Sequence, residues 1–309
     1  MKVLITTGSF AGFDKRPLDM LTDNGYEVIM NPFKRKITKD EALKLYQGID
    51  GVIAGTEFID SKVMGSAVNL KVISRCGAGL DNVDLSYAKD KGIKVFNTPD
   101  AATDPVAELT LGLILSLLRQ IPFSDRSLRL GVWEKQMGRL LAKKIVGIIG
   151  FGRIGRRLAE LLKGFGVKIV YNDPFMQSLD KEYATFEALS LTELLKNSDI
   201  VTLHLSYSKA NSSLIGEKEL ALMKETAFLL NISRGGIIDE EALYAALKTK
   251  KISGAALDVF ENEPYNGKLK ELDNVILTPH VGSYALEARI EMEIAAAKNL
   301  ILGLEGKAL

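Results

Sequence analysis

The stretch KIVGIIGFGRIG, residues 144–155, decides the fold of this chain. Its apolar first half has the length and composition of a buried strand, and a helical pattern follows at 156–164. The glycines Gly150, Gly152 and Gly155 allow a tight turn, a close backbone approach to a pyrophosphate and close packing of helix on strand. The N–H groups and the dipole at the helix start attract phosphates. A glycine-rich turn alone is weak evidence, but its place between a strand and a helix strengthens the interpretation.

Short β-rich apolar runs alternate with helical patterns on both sides of this stretch. In the first half of the chain the predicted strands are 3–6, 27–30, 51–54, 72–75 and 94–96. In the second half they are 145–149, 168–171, 200–203, 227–231, 254–257 and 275–277. Such alternation is typical of parallel sheets covered by helices. The sequence therefore predicts an α/β protein with two doubly wound parallel-sheet domains, of the Rossmann or flavodoxin-like type.

The length of 309 residues also favours two domains, because one hydrophobic core rarely supports so long a chain. Asn97-Thr98-Pro99 closes the last strand of the first series, and Asp104-Pro105 opens a long amphipathic helix that runs through 108–118. The final helix, 284–304, leads into no further strand, so we expect it to pack back on the first domain. The predicted domains are 1–99 with 284–309, and 100–283.

Composition excludes several classes of protein. The net charge of +1 provides no broad field for nucleic acid or a membrane surface. The single cysteine, Cys76, excludes an intramolecular disulfide and fits a reducing compartment. The start of the chain runs directly into a strand pattern, and no apolar run approaches the roughly 18 residues of a membrane span. We expect a cytoplasmic protein without a membrane, nucleic-acid or metal partner.

Asp173 follows the second strand of the glycine-containing domain, 18 residues after Gly155. A carboxylate at this place can accept both hydroxyls of the adenosine ribose, and it repels a 2′-phosphate. Pro174 and Phe175 come next, so no arginine neutralises such a phosphate. The pattern favours NAD over NADP, with a simple turn cap before Pro174 as the alternative role of Asp173.

Hydride transfer from a nicotinamide cofactor to a carbonyl group needs an acid to protonate the forming alkoxide, and the sequence offers two histidines for it. His204 ends a strand in VTLHL, where a structural histidine is the favoured interpretation. His280 follows a strand in TPHVGS, at the carboxyl edge of the sheet where open α/β proteins bind ligands.

Two further charged residues follow strands at the same edge. Arg234, in NISRGG, supplies a cation for the substrate carboxylate, and two glycines beside it leave room for a ligand. Glu263, in DVFENEP, is the carboxylate that would orient the ring of His280 and favour its protonated form. Taken singly, these residues are ordinary surface or turn residues. Their convergence on one edge favours an active site.

The ordered motifs cover nearly the whole chain: RCGAGLDNVD (75–84), NTP (97–99), VAE (106–108), GFGRIG (150–155), NISRGGIIDEEAL (231–243), ALDVFENEP (256–264) and TPHVGS (278–283). Together they resemble the D-isomer-specific 2-hydroxyacid dehydrogenase family, and most closely the catalytic core of the D-3-phosphoglycerate dehydrogenases. The resemblance implies an NAD-dependent enzyme that interconverts a small D-2-hydroxy acid and its 2-keto acid.

The resemblance also implies roles for individual residues. It makes His280 the acid/base, Glu263 its partner and Arg234 the ligand of the substrate carboxylate and carbonyl. The backbone of the loop after the fourth strand would grip the substrate carboxylate, through Arg75, Gly77, Ala78 and Gly79. Asp258 would lie near the nicotinamide carboxamide. The other residues expected along the cofactor are Gly150, Gly152, Arg153, Ile154, Gly155, Asp173, Leu205, Ile232, Arg234 and His280.

The same resemblance implies domain roles and an assembly. The domain made of both chain ends would bind substrate, the inserted domain would bind NAD, and two chains would form a homodimer through the NAD-binding domains. The segment from Trp133 to Lys135 would then reach the partner's active site. The alternative for Trp133 is an ordinary interface or core anchor.

One departure and two rival functions leave the substrate open. Where phosphoglycerate dehydrogenases tend to carry an arginine for the phosphate, this chain has Gly55-Thr56-Glu57-Phe58, and Glu57 would repel a phosphate if it pointed into the cleft. Arg75 and Lys135 remain as anion partners. A C-terminal-binding-protein-like corepressor that senses NAD is one rival, and a phosphite-, glyoxylate- or hydroxypyruvate-type dehydrogenase is the other. Formate dehydrogenases pair their histidine with glutamine, so Glu263 argues against that activity.

Overall fold

Two parallel sheets, each covered by helices, are seen in a computed structural model that describes residues 1–176, 183 and 185–307. The chain divides into two units: the first is Met1–Ala102 with Ser283–Leu309, and the second is Thr103–Gly282. The domain boundaries predicted from the sequence lie after residues 99 and 283. The predicted fold class, two parallel-sheet α/β domains, is confirmed.

The sheet of the first unit has five parallel strands in the described part of the chain, in the order β2-β1-β3-β4-β5. Its strands are β1 (Lys2–Ile5), β2 (Glu27–Met30), β3 (Gly51–Ala54), β4 (Val72–Arg75) and β5 (Lys94–Phe96). Its first helices are α1 (Arg16–Asp23), α2 (Lys39–Leu45), α3 (Ser61–Ser66) and α4 (Leu85–Asp90), and a 3₁₀ turn follows at Asp100–Ala102. Side chains of β1 alternate between the two faces: Leu4 joins one core cluster, and Val3 and Ile5 join the other.

The sheet of the second unit has seven parallel strands among the described residues, in the order β12-β11-β10-β9-β6-β7-β8. They are β6 (Ile145–Ile149), β7 (Lys168–Asn172), β8 (Glu187–Ala188), β9 (Ile200–Leu203), β10 (Phe228–Asn231), β11 (Gly254–Leu257) and β12 (Val275–Leu277). The helices are α5 (Thr103–Arg119), α6 (Ile121–Arg129), α7 (Arg153–Leu162), α8 (Leu191–Asn197), α9 (Glu217–Leu222) and α10 (Glu240–Lys248), with 3₁₀ turns at Lys163–Phe165, Lys209–Asn211 and Lys268–Glu271. The first strand of this unit, β6, thus lies between β9 and β7.

The last helix, α11 (Leu286–Leu304), belongs to the first unit and packs on β3, β4 and α1. The Ser74 hydroxyl donates to the Ala296 carbonyl at 2.8 Å, and a Cβ on Gly51 would lie 2.9 Å from Leu300. The absence of a side chain at Gly51 therefore permits close packing of this helix on the sheet.

The segment Asp100–Arg119, which contains α5, is long and apolar enough to cross a membrane, with a mean hydropathy of 1.4. The sequence pattern alone predicts no such candidate. Half of this segment is buried, and α5 packs on α7 and contributes Val106, Leu113 and Ile114 to a core cluster of the second unit. Length and composition alone are weak evidence for a span, because a core helix has the same properties.

One predicted helix begins earlier than expected, and two observed elements were not predicted. Helix α7 begins at Arg153, not at 156, because Gly152 is its N-cap and Arg153 to Gly155 already form its first turn. Helix α6 and strand β8 had no counterpart in the sequence prediction. β8 is only two residues long, and both are exposed, so no apolar pattern marks it.

Candidate active site

The glycine loop between β6 and α7 needs two of its glycines for packing. Gly150 has φ +89, and a Cβ on it would lie 2.5 Å from the carbonyl oxygen of His204. A Cβ on Gly155 would lie 2.3 Å from the carbonyl oxygen of Gly150. At Gly152 no described atom outside its chain neighbours lies within 4 Å of such a Cβ. The space beside Gly152, the N-cap of α7, is therefore open, which fits a dinucleotide pyrophosphate at this helix start.

Asp173 lies just past the end of β7, beside this loop. One of its carboxylate oxygens accepts the N–H of Phe151 at 2.9 Å, and the other accepts the N–H of Phe175 at 3.1 Å. The second contact is the turn cap that the sequence left open as an alternative. A carboxylate offers about four acceptor positions, so these two bonds leave capacity for ribose hydroxyls.

His204 follows β9, and the residue is half-buried. Its Nε2 lies 3.0 Å from the Thr202 hydroxyl, and its Nδ1 is buried without a hydrogen-bond partner among the described residues. Burial lowers the pKa of His204 to about 3. The imidazole is therefore neutral at physiological pH and cannot serve as a proton donor there.

Arg234 lies in the loop after β10, and its neighbours organise that loop. The Asn231 amide donates to the Arg234 carbonyl at 2.8 Å and accepts the Ser233 N–H at 3.1 Å and the Ser233 hydroxyl at 2.8 Å. The Arg234 guanidinium donates to the Ser233 carbonyl at 2.8 Å. A Cβ on Gly235 would lie 1.9 Å from the Phe260 carbonyl oxygen, so glycine is required where this loop meets the one after β11.

His280 and Glu263 form a hydrogen-bonded pair at the ends of β12 and β11. Nδ1 of His280 lies 2.8 Å from Oε2 and 3.1 Å from Oε1 of Glu263. The His280 side chain is 42% exposed, and no hydrogen bond to a described residue uses its Nε2. The Phe260 N–H donates to the Glu263 carboxylate at 3.1 Å and fixes its position. The ring thus has one nitrogen on a carboxylate and the other directed away from it, which is the arrangement of an acid/base histidine.

Asp258 is buried and holds the loop that carries His280. Its carboxylate accepts hydrogen bonds from the Thr278 hydroxyl at 2.6 Å, the Val281 N–H at 2.8 Å and the Gly282 N–H at 2.7 Å. His280, between these donors, has φ +55, a conformation that non-glycine residues rarely adopt. The family resemblance implies only a place near the nicotinamide for Asp258. This structural role could not be predicted, because the loop carries no periodic signal.

The order of strands places these groups along one edge of one sheet. From β7 to β12 the carboxyl ends carry, in turn, Asp173, the glycine loop, His204, Arg234, Asp258 with Glu263, and finally His280. Leu205 lies beside Gly150, and Ile232 is buried near Gly282. Arg153 and Ile154 form the exposed and half-buried start of α7. Among the described residues no cluster of three or more His, Cys, Asp or Glu could hold a metal ion.

The loop that contains Arg75 to Gly79 belongs to the first unit. The Gly77 N–H donates to the Thr98 hydroxyl at 2.8 Å, and the Asn97 amide donates to the Ala78 carbonyl at 2.7 Å. Gly77 has φ +146, and the Arg75 guanidinium packs against it and bonds to the Cys76 carbonyl. The NTP motif therefore holds this loop.

Known proteins share this architecture and these motifs. The model of the D-isomer specific 2-hydroxyacid dehydrogenase, NAD binding domain, matches residues 111–282. The chain belongs to the D-isomer-specific 2-hydroxyacid dehydrogenase family. It is 39% identical to a glyoxylate reductase from Thermococcus litoralis over 305 residues, which is 93% of this chain and 92% of that protein.

Two further similarities bear on the substrate and the fold of this dehydrogenase. It is 41% identical to a D-3-phosphoglycerate dehydrogenase from Methanocaldococcus jannaschii over 277 residues, covering 88% of this chain but 53% of that protein. The crystal structure of the TT0316 protein from Thermus thermophilus superposes with a TM-score of 0.91 at 36% identity, covering 99% of this chain and 98% of that one.

Family membership makes the protein an NAD-dependent oxidoreductase of D-2-hydroxy acids. The two curated relatives above are a reductase and a dehydrogenase, which favours an enzyme over the NAD-sensing corepressor considered from the sequence. The open glycine loop at the start of α7 fits the dinucleotide that the family binds.

Proposed function

We propose that this dehydrogenase reduces a small 2-keto acid with His280 as the proton donor, Glu263 as its partner and Arg234 as the ligand of the substrate. The contact between His280 Nδ1 and Glu263 Oε2, 2.8 Å long on a partly exposed ring, carries the proposal. Glu263 fixes the orientation of the imidazole, and His280 then donates through Nε2 to the substrate carbonyl oxygen.

Arg234 binds the carboxylate and polarises the carbonyl, because a guanidinium presents several donors in a plane that matches a carboxylate. Bound NADH supplies the hydride that is added to C2. In the reverse direction His280 accepts the proton of the 2-hydroxyl. The backbone of Arg75, Gly77, Ala78 and Gly79 is proposed as a second ligand of the substrate carboxylate, on the family resemblance and on the anchored geometry of that loop.

NAD would be held by the glycine loop and by residues that follow the strands beside it. The proposed contacts are Gly150, Gly152, Arg153, Ile154, Gly155, Asp173, Leu205, Ile232, Arg234, Asp258 and His280. Asp173 is proposed to select NAD over NADP through the adenosine ribose, since its carboxylate beside the glycine loop would repel a 2′-phosphate.

Replacement of Asp173 tests this selection. Asp173→Ala should weaken NADH binding and narrow the gap to NADPH, because the ribose loses an acceptor and the 2′-phosphate loses a repelling charge. Fluorescence titration with both cofactors and the ratio of their kcat/KM values measure the effect. Equal turnover of the wild-type enzyme with NADH and NADPH would contradict the proposed role.

Glyoxylate and hydroxypyruvate are the substrates we propose first, since a similar enzyme is named glyoxylate reductase. 3-Phosphoglycerate has less support. The dehydrogenase of that name is matched over only 53% of its length, and the stretch where an arginine is expected for the phosphate reads Gly55-Thr56-Glu57-Phe58. A turnover screen decides between these substrates. It uses 3-phosphohydroxypyruvate, hydroxypyruvate, glyoxylate, pyruvate, 2-ketoglutarate and phosphite. Turnover of phosphite alone would reject the assigned class of substrate.

A homodimer through the NAD-binding domains is also proposed. Seven large apolar side chains between residues 121 and 140 are exposed in the second unit: Ile121, Leu128, Leu130, Val132, Trp133, Met137 and Leu140. Exposed apolar side chains concentrated in one segment make that segment a candidate interaction surface. Trp133 is 83% exposed, which excludes it as a core anchor within its own chain and suits an interface or the partner's active site. The cytoplasmic location stays a prediction from composition.

Sedimentation velocity tests the dimer. The wild-type enzyme should sediment as a dimer, and Met137→Lys, which places a charge on an 89% exposed apolar position, should shift it toward monomer. Val68→Lys, at a 91% exposed apolar position of the first unit, is the matched control and should leave the dimer intact. A monomeric wild-type enzyme would overturn this proposal. If Trp133 or Lys135 also reaches the partner's site, Trp133→Ala or Lys135→Ala lowers turnover under conditions where the dimer persists.

A further inference from the structure

The loop after β11 carries Glu263, the proposed partner of His280. The two flanks of this loop are anchored to each other, because the rings of Phe260 and Tyr265 stack with their centroids 4.2 Å apart. Phe260 is buried, whereas residues 261–264 are exposed. Packing therefore contributes little to the position of the four residues that include Glu263, and hydrogen bonds are needed to hold them.

Glu240, the first residue of α10, provides such a bond from outside the loop. Its Oε1 accepts the Glu261 N–H at 2.7 Å. Glu240 is half-buried, and burial raises the pKa of its carboxyl group. The nearby charges of Glu261 and Glu241 raise this pKa further. Such surroundings disfavour a carboxylate, and the hydrogen bond from the Glu261 N–H is the favourable contact that opposes them.

The peptide group between Phe260 and Glu261 also contacts the loop that carries Arg234. A Cβ on Gly235 would lie 1.9 Å from the carbonyl oxygen of Phe260 and 2.6 Å from the nitrogen of Glu261. This peptide group therefore lies directly against the backbone of the residue that follows Arg234. Gly235 contacts it, and the carboxylate of Glu240 binds its N–H, so two parts of the chain fix its position.

The backbone of the same turn also holds the Glu263 carboxylate. The Phe260 N–H donates to Oε1 of Glu263 at 3.1 Å, and Oε2 of Glu263 lies 2.8 Å from Nδ1 of His280. A shift of the peptide group that follows Phe260 would therefore move Glu263 relative to His280. The groups proposed to bind the substrate and to donate the proton thus share one backbone support.

We propose that Glu240 is a positioning residue, which holds the Phe260–Glu261 peptide group against the Arg234 loop and thereby sets the place of Glu263. The inference rests on the proposed function. Glu240 acts on proton transfer through Glu263 and exchanges no proton itself. Loss of its hydrogen bond frees the exposed loop, so Glu263 orients His280 for a smaller fraction of the time and fewer substrate complexes are productive.

Replacement of Glu240 measures this contribution. Glu240→Ala removes the acceptor, so kcat with the best 2-keto acid should fall by roughly tenfold, the lower end of the range for a hydrogen bond to a charged group. The dissociation constant of NADH should stay within threefold of wild type, because the glycine loop follows β6, two strands away from β10 in the sheet. Glu240→Gln keeps an acceptor oxygen and should retain a kcat within threefold of wild type.

Two further variants separate positioning from folding. Glu240→Asp keeps a negative charge, which suits the first turn of a helix, but withdraws the acceptor by one methylene group. Its Tm should equal that of the wild-type enzyme, and its kcat should fall as in Glu240→Ala. Glu241→Ala is the matched control. It removes the neighbouring exposed acid, which pairs with Lys268 at 2.7 Å, and should leave kcat unchanged.

A double-mutant cycle distinguishes an effect through Glu263 from general support of the fold. If Glu240 acts through Glu263, Glu240→Ala should lower kcat by less than threefold when Glu263→Ala is already present. An equal loss in both backgrounds would show that Glu240 only stabilises the protein. Because the chain contains two histidines, NMR provides a readout besides turnover: Glu240→Ala should shift or broaden the ring resonance of His280 and leave that of His204 unchanged.

The outcomes separate this inference from the proposed function. Values of kcat within threefold of wild type for both Glu240→Ala and Glu240→Asp, a Glu240→Gln variant as impaired as Glu240→Ala, or an additive cycle would overturn the positioning role alone. If Glu240→Ala does not fold, Glu240→Asp takes its place in the cycle. A wild-type enzyme that reduces no 2-keto acid, or a Glu263→Ala variant with wild-type kcat, would instead reject the proposed function, and this inference with it.

Discussion

His204 and His280 each follow a strand at the carboxyl edge of one sheet, yet their surroundings are opposite. His204 has one ring nitrogen on the Thr202 hydroxyl and the other buried without a described partner, and burial lowers its pKa to about 3. His280 is partly exposed and has one nitrogen on the Glu263 carboxylate. Position at the edge of the sheet therefore does not by itself distinguish the two histidines. The carboxylate partner and the exposed ring distinguish His280, the proposed acid.

The backbones of the loops that carry His204 and His280 also differ. The His204 N–H donates to the Ile149 carbonyl at 2.8 Å, which continues the ladder of β6 and β9. His280 has left the ladder of β12, adopts φ +55 and is held by the buried Asp258. Strained backbone of this kind persists only where the surroundings fix it, and it is common at functional sites.

Replacement of His280 should have the largest effect on turnover. His280→Ala should lower kcat by roughly 100- to 10,000-fold, the range for a positioned acid/base, while NADH still binds. His204→Gln, the matched replacement in the other loop, should change kcat far less. Steady-state kinetics with the best 2-keto acid and fluorescence titration with NADH measure both properties. If the two variants behaved the other way round, the assignment of the two histidines would be wrong.

Replacement of Glu263 tests whether the carboxylate partner distinguishes His280. Glu263→Gln keeps a hydrogen-bond partner for the ring but removes the charge, so kcat should fall about 10- to 150-fold, the value of a charged hydrogen bond. Steady-state kinetics with the best 2-keto acid measures the change. A kcat within threefold of the wild-type value would show that the charge of Glu263 is not what distinguishes His280.

Asp258 should act on His280 through the loop and not through proton transfer. Asp258→Asn replaces one acceptor oxygen of the carboxylate with an amide NH2 group. This donor would face the backbone N–H groups of the loop, so the loop should loosen and kcat should fall by about tenfold. Because the chain contains two histidines, NMR resolves the effect: the His280 ring resonance should shift or broaden, and that of His204 should not. An unchanged His280 resonance together with weaker NADH binding would confine Asp258 to cofactor binding.

The fold could be predicted from the sequence because its strands are buried apolar runs. Most of the predicted strands, including 51–54 and 145–149, have the observed bounds, since parallel strands covered on both faces consist of continuous apolar residues. The two-residue β8 and the helix α6 were missed. α6 buries none of its residues, so no apolar face directed toward a core marks it.

Only those site residues that lie at the ends of strands could be predicted from the sequence. The positions of Arg234, Glu263 and His280 follow from the parallel sheet, because all its strands end at one edge. The direction of a side chain within a loop follows no period, which is why the burial of Glu57 beneath the first sheet's edge and the bonds of Asp258 to the His280 loop were not foreseen. Such contacts depend on tertiary structure alone.

The smallest effect on turnover is expected at His204. The burial of its ring should instead affect how the free energy of unfolding depends on pH. Its pKa is about 3 in the folded protein and near 6.5 in the unfolded chain, so between these values the unfolded state binds the proton. The stability that the neutral ring permits is complete above pH 6.5 and is lost as the pH falls toward 3. At pH 5 the loss in the free energy of unfolding should be about 2 kcal/mol.

His204→Gln removes the titrating group. Denaturant unfolding followed by circular dichroism at pH 7 and pH 5 should therefore show a smaller loss of stability for the variant than for the wild-type protein. The kcat of the variant should stay within about threefold of wild type. Equal acid losses in the two proteins would mean that the His204 ring is solvated, and the contrast between the two histidines would then rest on Glu263 alone.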